Sequence, residues 1–409
     1  VKLKRLPEDF QVEELTEFAP VGAGDFAIYR VTKRGLGTRE AIDALVQRWN
    51  LSPSQVSYGG LKDKHAISTQ HISIRRGPHR SLQQTNLSLE YLGQAQQAFG
   101  SGDVSGNRFQ IVLRSLSRRE VTLAEAAIEE ARRDGLPNYF DDQRFGSLGD
   151  SGEFVARAWI AGDYERACWL ALADSNPLDR PRDRQEKAWL RELWGRWPEC
   201  KARMSGSQRQ PVVSFLCNRP TDFRGAFVRI RQDLRSLFIA AFQSHLWNRI
   251  LAAHILSTCP APLIIPVALK VGGVPFFGSL SDATRAALQL DLPLPSSRIK
   301  LADGPVKELV DRSLGEVGLT LREIRVKYPR DSFFSKGTRP ALSNARTLTY
   351  EADDDELYPR QQKLRLQFDL PRGSYATIVV KRIAAAAGLA GDDAVLAGQD
   401  ESGEDESEA

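Results

Sequence analysis

At 409 residues the chain is longer than one hydrophobic core comfortably fills, which implies two or three domains. Its 42% apolar and 26% charged residues are those of an ordinary globular protein, and no apolar run is long enough to predict a bilayer span. The formal charge of +4 hides an asymmetry: residues 391–409 hold eight acids and no lysine or arginine, and taking those eight from the 52 leaves 44 acids against 56 bases, or +12, for residues 1–390. A body that basic suits a polyanionic partner, although it also serves solubility.

Cys168, Cys200, Cys217 and Cys259 have neither the paired spacing of a zinc site nor the density of a disulfide scaffold, so reduced thiols in a cytoplasm are expected. His65 and His71 lie six apart and are not neighbours on a helix, and no metal is predicted. The start, Val1 to Arg5 followed by Pro7 and Glu8, has no apolar signal core, which speaks against secretion. The acidic tail 391–409 has almost no aromatic content and is expected to be disordered.

In chain order, Pro7 ends a first extended segment, and a strand begins near Phe10 with Val12 on the same face. Asp25 to Lys33 reads as a second strand, broken by Gly35 and Gly37. Thr38 is placed to cap a helix whose Ile42, Leu45, Val46 and Trp49 form one stripe. Gly35-Leu36-Gly37 lacks the third glycine of a dinucleotide fingerprint, and no phosphate-loop lysine motif occurs.

Gly59-Gly60-Leu61-Lys62-Asp63-Lys64-His65-Ala66-Ile67-Ser68-Thr69-Gln70 follows. It reads as a turn between strands at Gln55–Tyr58 and Gln70–Arg75, opened by glycines free to adopt angles closed to other residues. Flanking ammonium groups favour the ionised form of Asp63, and an ionised carboxylate can act as a nucleophile. A Lys-Asp-Lys turn is also what a solvated surface turn looks like. Arg75, Arg76, His79 and Arg80 cluster around Gly77 and Pro78, a basic loop suited to phosphates or simply to water.

Gly106 to Arg114 alternates so that Asn107, Phe109, Ile111 and Leu113 share a face. An amide and a ring emerge together there, the pair that reads and stacks a nucleobase. Thr122 and Glu125 form a capping box for a helix over Leu123–Arg133 that stops at Gly135. Pro137-Asn138-Tyr139-Phe140-Asp141-Asp142 comes next; adjacent strand carboxylates would point to opposite faces, which disfavours a metal. Residues 151–200 read as Trp-rich helices. A long helix after Asp233 carries the stripe Ile239, Phe242, Leu246, Ile250 and Ala253 and the segment Gln243-Ser244-His245-Leu246-Trp247-Asn248, in which His245 reads as structural. Pro260 to Arg339 mixes turns, short strands and one helix over Val306–Leu314. Leu364, Leu366, Phe368 and Leu370 then alternate in a half-buried strand that runs into Pro371-Arg372-Gly373-Ser374-Tyr375 and a helix.

Taken together, the Pro-Glu-Asp-Phe, Gly-Gly-Leu-Lys-Asp, Gly-Asn-Arg-Phe, Pro-Asn-Tyr-Phe, Gln-Ser-His-Leu-Trp-Asn and Pro-Arg-Gly-Ser-Tyr segments resemble, in the same order, the motifs of the TruD family of pseudouridine synthases. The resemblance implies an α+β fold: a pseudouridine-synthase-like catalytic domain on a mixed, largely antiparallel sheet flanked by helices (1–150 plus 345–390), with a large inserted α/β domain (151–344). It implies Asp63 as the catalytic carboxylate, with Lys62 orienting and charging it and Lys4 near the site. Phe10, Phe109 and Tyr375 would enclose the flipped uridine, Asn107 would hydrogen-bond it, and the Pro-Asn-Tyr-Phe block would shape the site's wall. It implies a tRNA substrate (or another RNA), usually uridine 13, and no cofactor, metal, membrane or obligate protein partner. Two other readings share these residues, a non-catalytic RNA-binding protein and a glycosidase-type enzyme with two carboxylates.

Overall fold

A computed structural model describes residues 1–204 and 206–389; the acidic tail lies outside the described residues. By its internal contacts the chain forms two compact units, Val1–Asn138 with the segment from Leu342 onward, and Tyr139–Ala341. Both divisions fall earlier in the chain than the expected 150 and 344, because Tyr139 already belongs to the second core, where it is fully buried.

The first unit opens with β1 (Phe10–Thr16), β2 (Phe26–Arg34), α1 (Thr38–Trp49), β3 (Val56–Tyr58), β4 (Ile67–Arg75), β5 (Leu82–Gln83), β6 (Leu87–Ala95), β7 (Val104–Leu116), α2 (Arg118–Asp134) and β8 (Leu136–Pro137). The second runs α3 (Val155–Ala161), α4 (Tyr164–Leu172), α5 (Pro181–Glu192), α6 (Trp197–Arg203), α7 (Gln210–Asn218), α8 (Phe223–Phe227), α9 (Gln232–Thr258), β9 (Ile264–Leu269), β10 (Gly272–Phe277), α10 (Asp282–Leu288), β11 (Asp291–Pro293), α11 (Pro305–Gly315) and β12 (Thr338–Pro340). The chain then returns to the first unit with β13 (Leu342–Ser343), β14 (Arg346–Asp354), β15 (Gln362–Pro371) and α12 (Ala376–Ala386).

One sheet of nine strands organises the first unit, in the order β14-β15-β7-β1-β4-β2-β6-β5 with β3 beside β4. Only β1 and β4 pair in parallel, so the sheet is mixed and largely antiparallel, and the fold is α+β as expected. Alternating residues of β7 and β15, among them Phe109, Ile111, Leu113, Leu364, Leu366 and Phe368, are buried in one core with α2 and α12. A second core gathers β2, β4 and β6 against α1. The second unit is mostly helical, and its β-structure is limited to the pairs β9-β10 and β11-β12.

Several local expectations shift. The buried line of α1 runs through Ala41 and Leu45, while Ile42, Val46 and Trp49 are half-buried. Gly37 is the N-cap, and its N–H donates to Glu40 Oε2 (2.8 Å), which frees the Thr38 hydroxyl for other partners. The capping box of α2 is Ser117 with Glu120, one turn before Thr122, because Ser117 is the residue that takes the extended backbone. Helix α9 buries Ile239, Phe242, Leu246 and Ile250 of the expected stripe and leaves Ala253 half-buried, and through its middle, from Ala241 to Leu251, it buries residues of its other faces as well. Asp141 caps, and Asp142 opens, a 3-10 turn rather than continuing a strand, and Asp142 accepts the Lys270 backbone N–H (2.7 Å).

Candidate active site

The parallel pairing of β1 with β4 sets the geometry. Gln11 lies opposite Ile67 and Val12 opposite Ser68, so the segment before β1, which carries Lys4, and the loop before β4, which carries Asp63, reach the same end of the sheet. Lys4 Nζ donates to Asp63 Oδ2 at 2.7 Å. The side chains of Lys4 and Asp63 are 11% and 21% exposed, an ion pair well withdrawn from water. Lys4 adopts a left-handed backbone (φ 49°), the kind of local strain that gathers at functional sites.

The second oxygen of Asp63, Oδ1, accepts the His65 backbone N–H at 3.0 Å. Burial pushes the carboxyl's pKa up, but the Lys4 ammonium, its hydrogen bond and the His65 amide outweigh that and hold it below the ordinary value. Asp63 is therefore a partly buried, permanently ionised carboxylate at neutral pH.

Lys62 does not meet Asp63, contrary to the sequence expectation. Its Nζ donates to Asn107 Oδ1 at 2.7 Å and lies 3.0 Å from Glu14 Oε1. Glu14 stands opposite Asn107 across β1 and β7, with its side chain wholly buried, and its Oε2 accepts the His71 backbone N–H (2.8 Å). The loop thus alternates its charges: Lys62 turns to the Glu14 and Asn107 end of β1, and Asp63 to the Lys4 end.

The loop's backbone is held from below. Buried Lys33 on β2 donates to Asp63 O at 2.7 Å and to Leu36 O at 2.5 Å. Burial pulls its ammonium down to about 8, against the opposing pull of Asp63 and Glu40. Thr38 Oγ1 accepts the Lys62 N–H (2.9 Å) and donates to Gln70 Oε1 (2.8 Å), and Gln70 Nε2 donates to Gly60 O (3.3 Å). Gly59 and Gly60 do not use positive φ. Gly59 is needed for space, because a Cβ there would stand 2.5 Å from Val104 Cγ2.

Phe10 and Phe109 meet edge to face with ring centres 6.1 Å apart, and Lys4 Nζ sits 4.7 Å from the centre of the Phe10 ring. Both rings are only 8% exposed and belong to the β7-β15 core. Tyr375 is the half-buried N-cap of α12. It follows β15, whose Leu370 and Pro371 pair with Asn107 and Gly106, which brings it to the Asn107 end of β7. Lys4, Phe10, Asp63 and Phe109 form one connected group, Lys62, Asn107 and Glu14 a second, and Tyr375 is linked to the latter by strand register.

Glu14 and Lys33 escaped the sequence reading. Both carried a signal: Glu14 continues the inward alternation of Phe10 and Val12, and Lys33 that of Ala27, Tyr29 and Val31, so each is a charge at a position that predicts burial. The Pro-Asn-Tyr-Phe block is divided. Asn138 Oδ1 accepts from Ser374 Oγ (3.3 Å) within the first unit, whereas Tyr139 and Phe140 are buried in the second, where Asn248 clamps the Phe140 backbone from both sides (2.9 and 2.8 Å). In the basic loop Arg75, Arg76 and Arg80 are exposed, and His79 stacks on Tyr91 at 5.4 Å. Among the described residues no cluster of His, Cys, Asp or Glu could hold a metal, and no helix is long and apolar enough to cross a membrane.

Comparison with known proteins fits this arrangement. The chain matches the family model described as tRNA pseudouridine synthase D (TruD) over residues 1–265 and 279–383. A relative from Methanococcus maripaludis, named "Probable tRNA pseudouridine synthase D 1", is 30% identical over 397 residues, covering 94% of this chain and 99% of its own length. The tRNA pseudouridine synthase D of Aquifex aeolicus is 26% identical, with 94% and 98% covered. A crystal structure of a TruD protein from Methanosarcina mazei aligns with a TM-score of 0.70 at 26% identity, over 93% of both chains.

Proposed function

Because the chain belongs to the TruD family of tRNA pseudouridine synthases, we propose that Asp63 is the carboxylate with which it converts a uridine of tRNA to pseudouridine. The reaction breaks the bond from ribose C1′ to uracil N1, turns the detached base and joins C5 to C1′; C5 gives up its proton and N1 takes one up, so product and substrate are isomers. The isomerisation consumes no co-substrate. Either role open to the carboxylate, addition to C1′ or removal of the 2′ proton, requires it to be ionised. The observation that carries the reading is the Asp63 environment: Lys4 on one oxygen, the His65 amide on the other, and a pKa held low.

The target base must leave its stack, and apolar ring surfaces replace the neighbours it loses. Phe10, Phe109 and Tyr375 are assigned that role, with Asn107 hydrogen-bonding the base; Lys62 orients the Asn107 amide by binding its oxygen, which leaves the amide NH₂ for a carbonyl of uracil. Lys4 charges and orients Asp63. The first unit, Val1–Asn138 with the segment from Leu342 onward, acts as the catalytic domain expected over 1–150 and 345–390, and the second, Tyr139–Ala341, as the inserted domain expected over 151–344. Family resemblance points to uridine 13 as the target.

Asp63→Asn keeps the shape and removes the charge. The variant binds tRNA with wild-type affinity and forms no pseudouridine in a tritium-release assay; turnover by it would remove Asp63 from the role. Mapping modified uridines in tRNA from cells with and without the gene tests the position.

A further inference from the structure

The second unit contains a cavity of about 1050 Å³, lined only by its own residues, at the upper end of the size range of ligand sites. His245, in the segment between Gln243 and Asn248 that the catalytic reading leaves unused, lines it together with Phe154 and Phe242. The His245 and Phe154 rings stack with centres 4.8 Å apart and planes 29° apart, and Phe154 meets Phe242 at 5.4 Å. Burial, with Arg249 adding to it, pulls His245 down to about 4, so the imidazole is neutral at pH 7. Its Nδ1 is enclosed without a hydrogen-bond partner.

The charged lining is unbalanced. Its acids are engaged: Glu153 pairs with Arg166 (2.6 Å), Asp163 caps α4 through the Arg166 amide (2.9 Å), and Glu323 holds Thr320 (2.8 Å). Arg322, Arg325 and Lys327 are exposed on the same cavity and make no ion pair among the described residues. A stacked ring pair beside three unpaired cations is the chemistry that takes a nucleobase and its phosphate.

We propose that this cavity binds one unpaired nucleotide of the RNA substrate: the base stacks on the Phe154–His245 ring pair, and Arg322, Arg325 and Lys327 take the flanking phosphates. The proposal rests on tRNA being the substrate. It makes the second unit an RNA-contact site in its own right, separate from the residues around Asp63.

The test is equilibrium binding of tRNA to the full chain over a range of salt. Arg322→Gln/Arg325→Gln changes two exposed side chains, so the fold stays intact; it raises Kd about tenfold and makes the log–log salt slope shallower by about one to two. Phe154→Leu raises Kd about tenfold with the slope unchanged, because it removes stacking rather than charge. A tRNA carrying 4-thiouridine at unpaired positions, photo-crosslinked to the Asp63→Asn protein, gives adducts on peptides containing Phe154 or His245. Wild-type affinity in both variants with no such adduct overturns the cavity proposal alone, whereas absence of tRNA binding by the unaltered chain overturns it together with the functional reading.

Discussion

Asp63 is met at 2.7 Å by the ammonium of Lys4 and not by that of its own chain neighbour, Lys62. The two lysines divide the labour along β1: Lys4 holds the acid, and Lys62 holds the amide of Asn107 against Glu14.

Replacing Lys4 with methionine leaves Asp63 to the effect of burial, which raises its pKa. In the wild type the folded pKa lies below the unfolded value, so the carboxylate is charged above it and protonates only as pH falls through the depressed value. The acid limb of the kcat/KM profile therefore lies below the ordinary range of an aspartate for the wild type and moves upward in Lys4→Met. A profile with an unmoved acid limb would detach Lys4 from the electrostatics of Asp63.

Glu14 and Lys62 form a buried pair, with side-chain exposures of 0% and 11%. Glu14→Gln strands the Lys62 charge and lowers stability by about 3 kcal/mol. Adding Lys62→Met recovers most of that loss, because no lone charge remains. Urea unfolding of both single variants and the double variant measures the coupling; strictly additive losses contradict it.

Lys33 gives a pH signature. Its folded pKa of about 8 lies below the ordinary lysine value of 10.5, so between these values the unfolded chain binds more protons and stability rises with pH. From pH 7.5 to 9.5 the wild type gains about 2 kcal/mol relative to Lys33→Met, read from urea unfolding at the two pH values. The variant also loses the donor to Asp63 O and Leu36 O, so its kcat falls at every pH. Equal pH dependence in the two proteins would mean that Lys33 titrates normally.

Arg114 on β7 joins Asp9 (2.8 Å), Asp355 (2.8 Å) and Glu356 (2.9 Å), with the first two acids buried. Asp9 in turn accepts the Arg5 and Leu6 amides at 3.0 Å, so the cluster anchors the segment that presents Lys4. Arg114→Met leaves two buried carboxylates unpaired and destabilises the fold by about 3–5 kcal/mol, a shift in Tm that calorimetry resolves. A change within 1 kcal/mol would rule the cluster out as an anchor.

The strands were legible where alternation is clean. Phe109 to Leu113 and Leu364 to Leu370 show which face is buried before any coordinate is seen, and the Ser117, Glu120 and Gly135 boundaries of α2 differ from the expected ones only in which of two Ser/Thr-x-x-Glu boxes the chain uses. The partner of Asp63 was not legible, because it depends on the register of a parallel pair whose members lie more than fifty residues apart in the chain. Adjacency in sequence favoured Lys62; the turn of the loop sends it to the opposite side. The stripe on α9 held for Ile239, Phe242, Leu246 and Ile250 but understated the burial, because the middle of the helix is enclosed on its other faces too and no polar face there marks the stripe's limits.

β15 completes the sheet beside β7, yet it is made only after the whole second unit. From Leu116 to Gln362 the ribosome must add about 250 residues, on the order of ten to fifty seconds at ordinary elongation rates. Through that interval the outer backbone of β7, the strand that carries Asn107 and Phe109, is an open edge able to pair with another nascent chain. The enzyme's yield in the cell is thus tied to translation speed through the middle of its message and to chaperones that shield one half-finished strand.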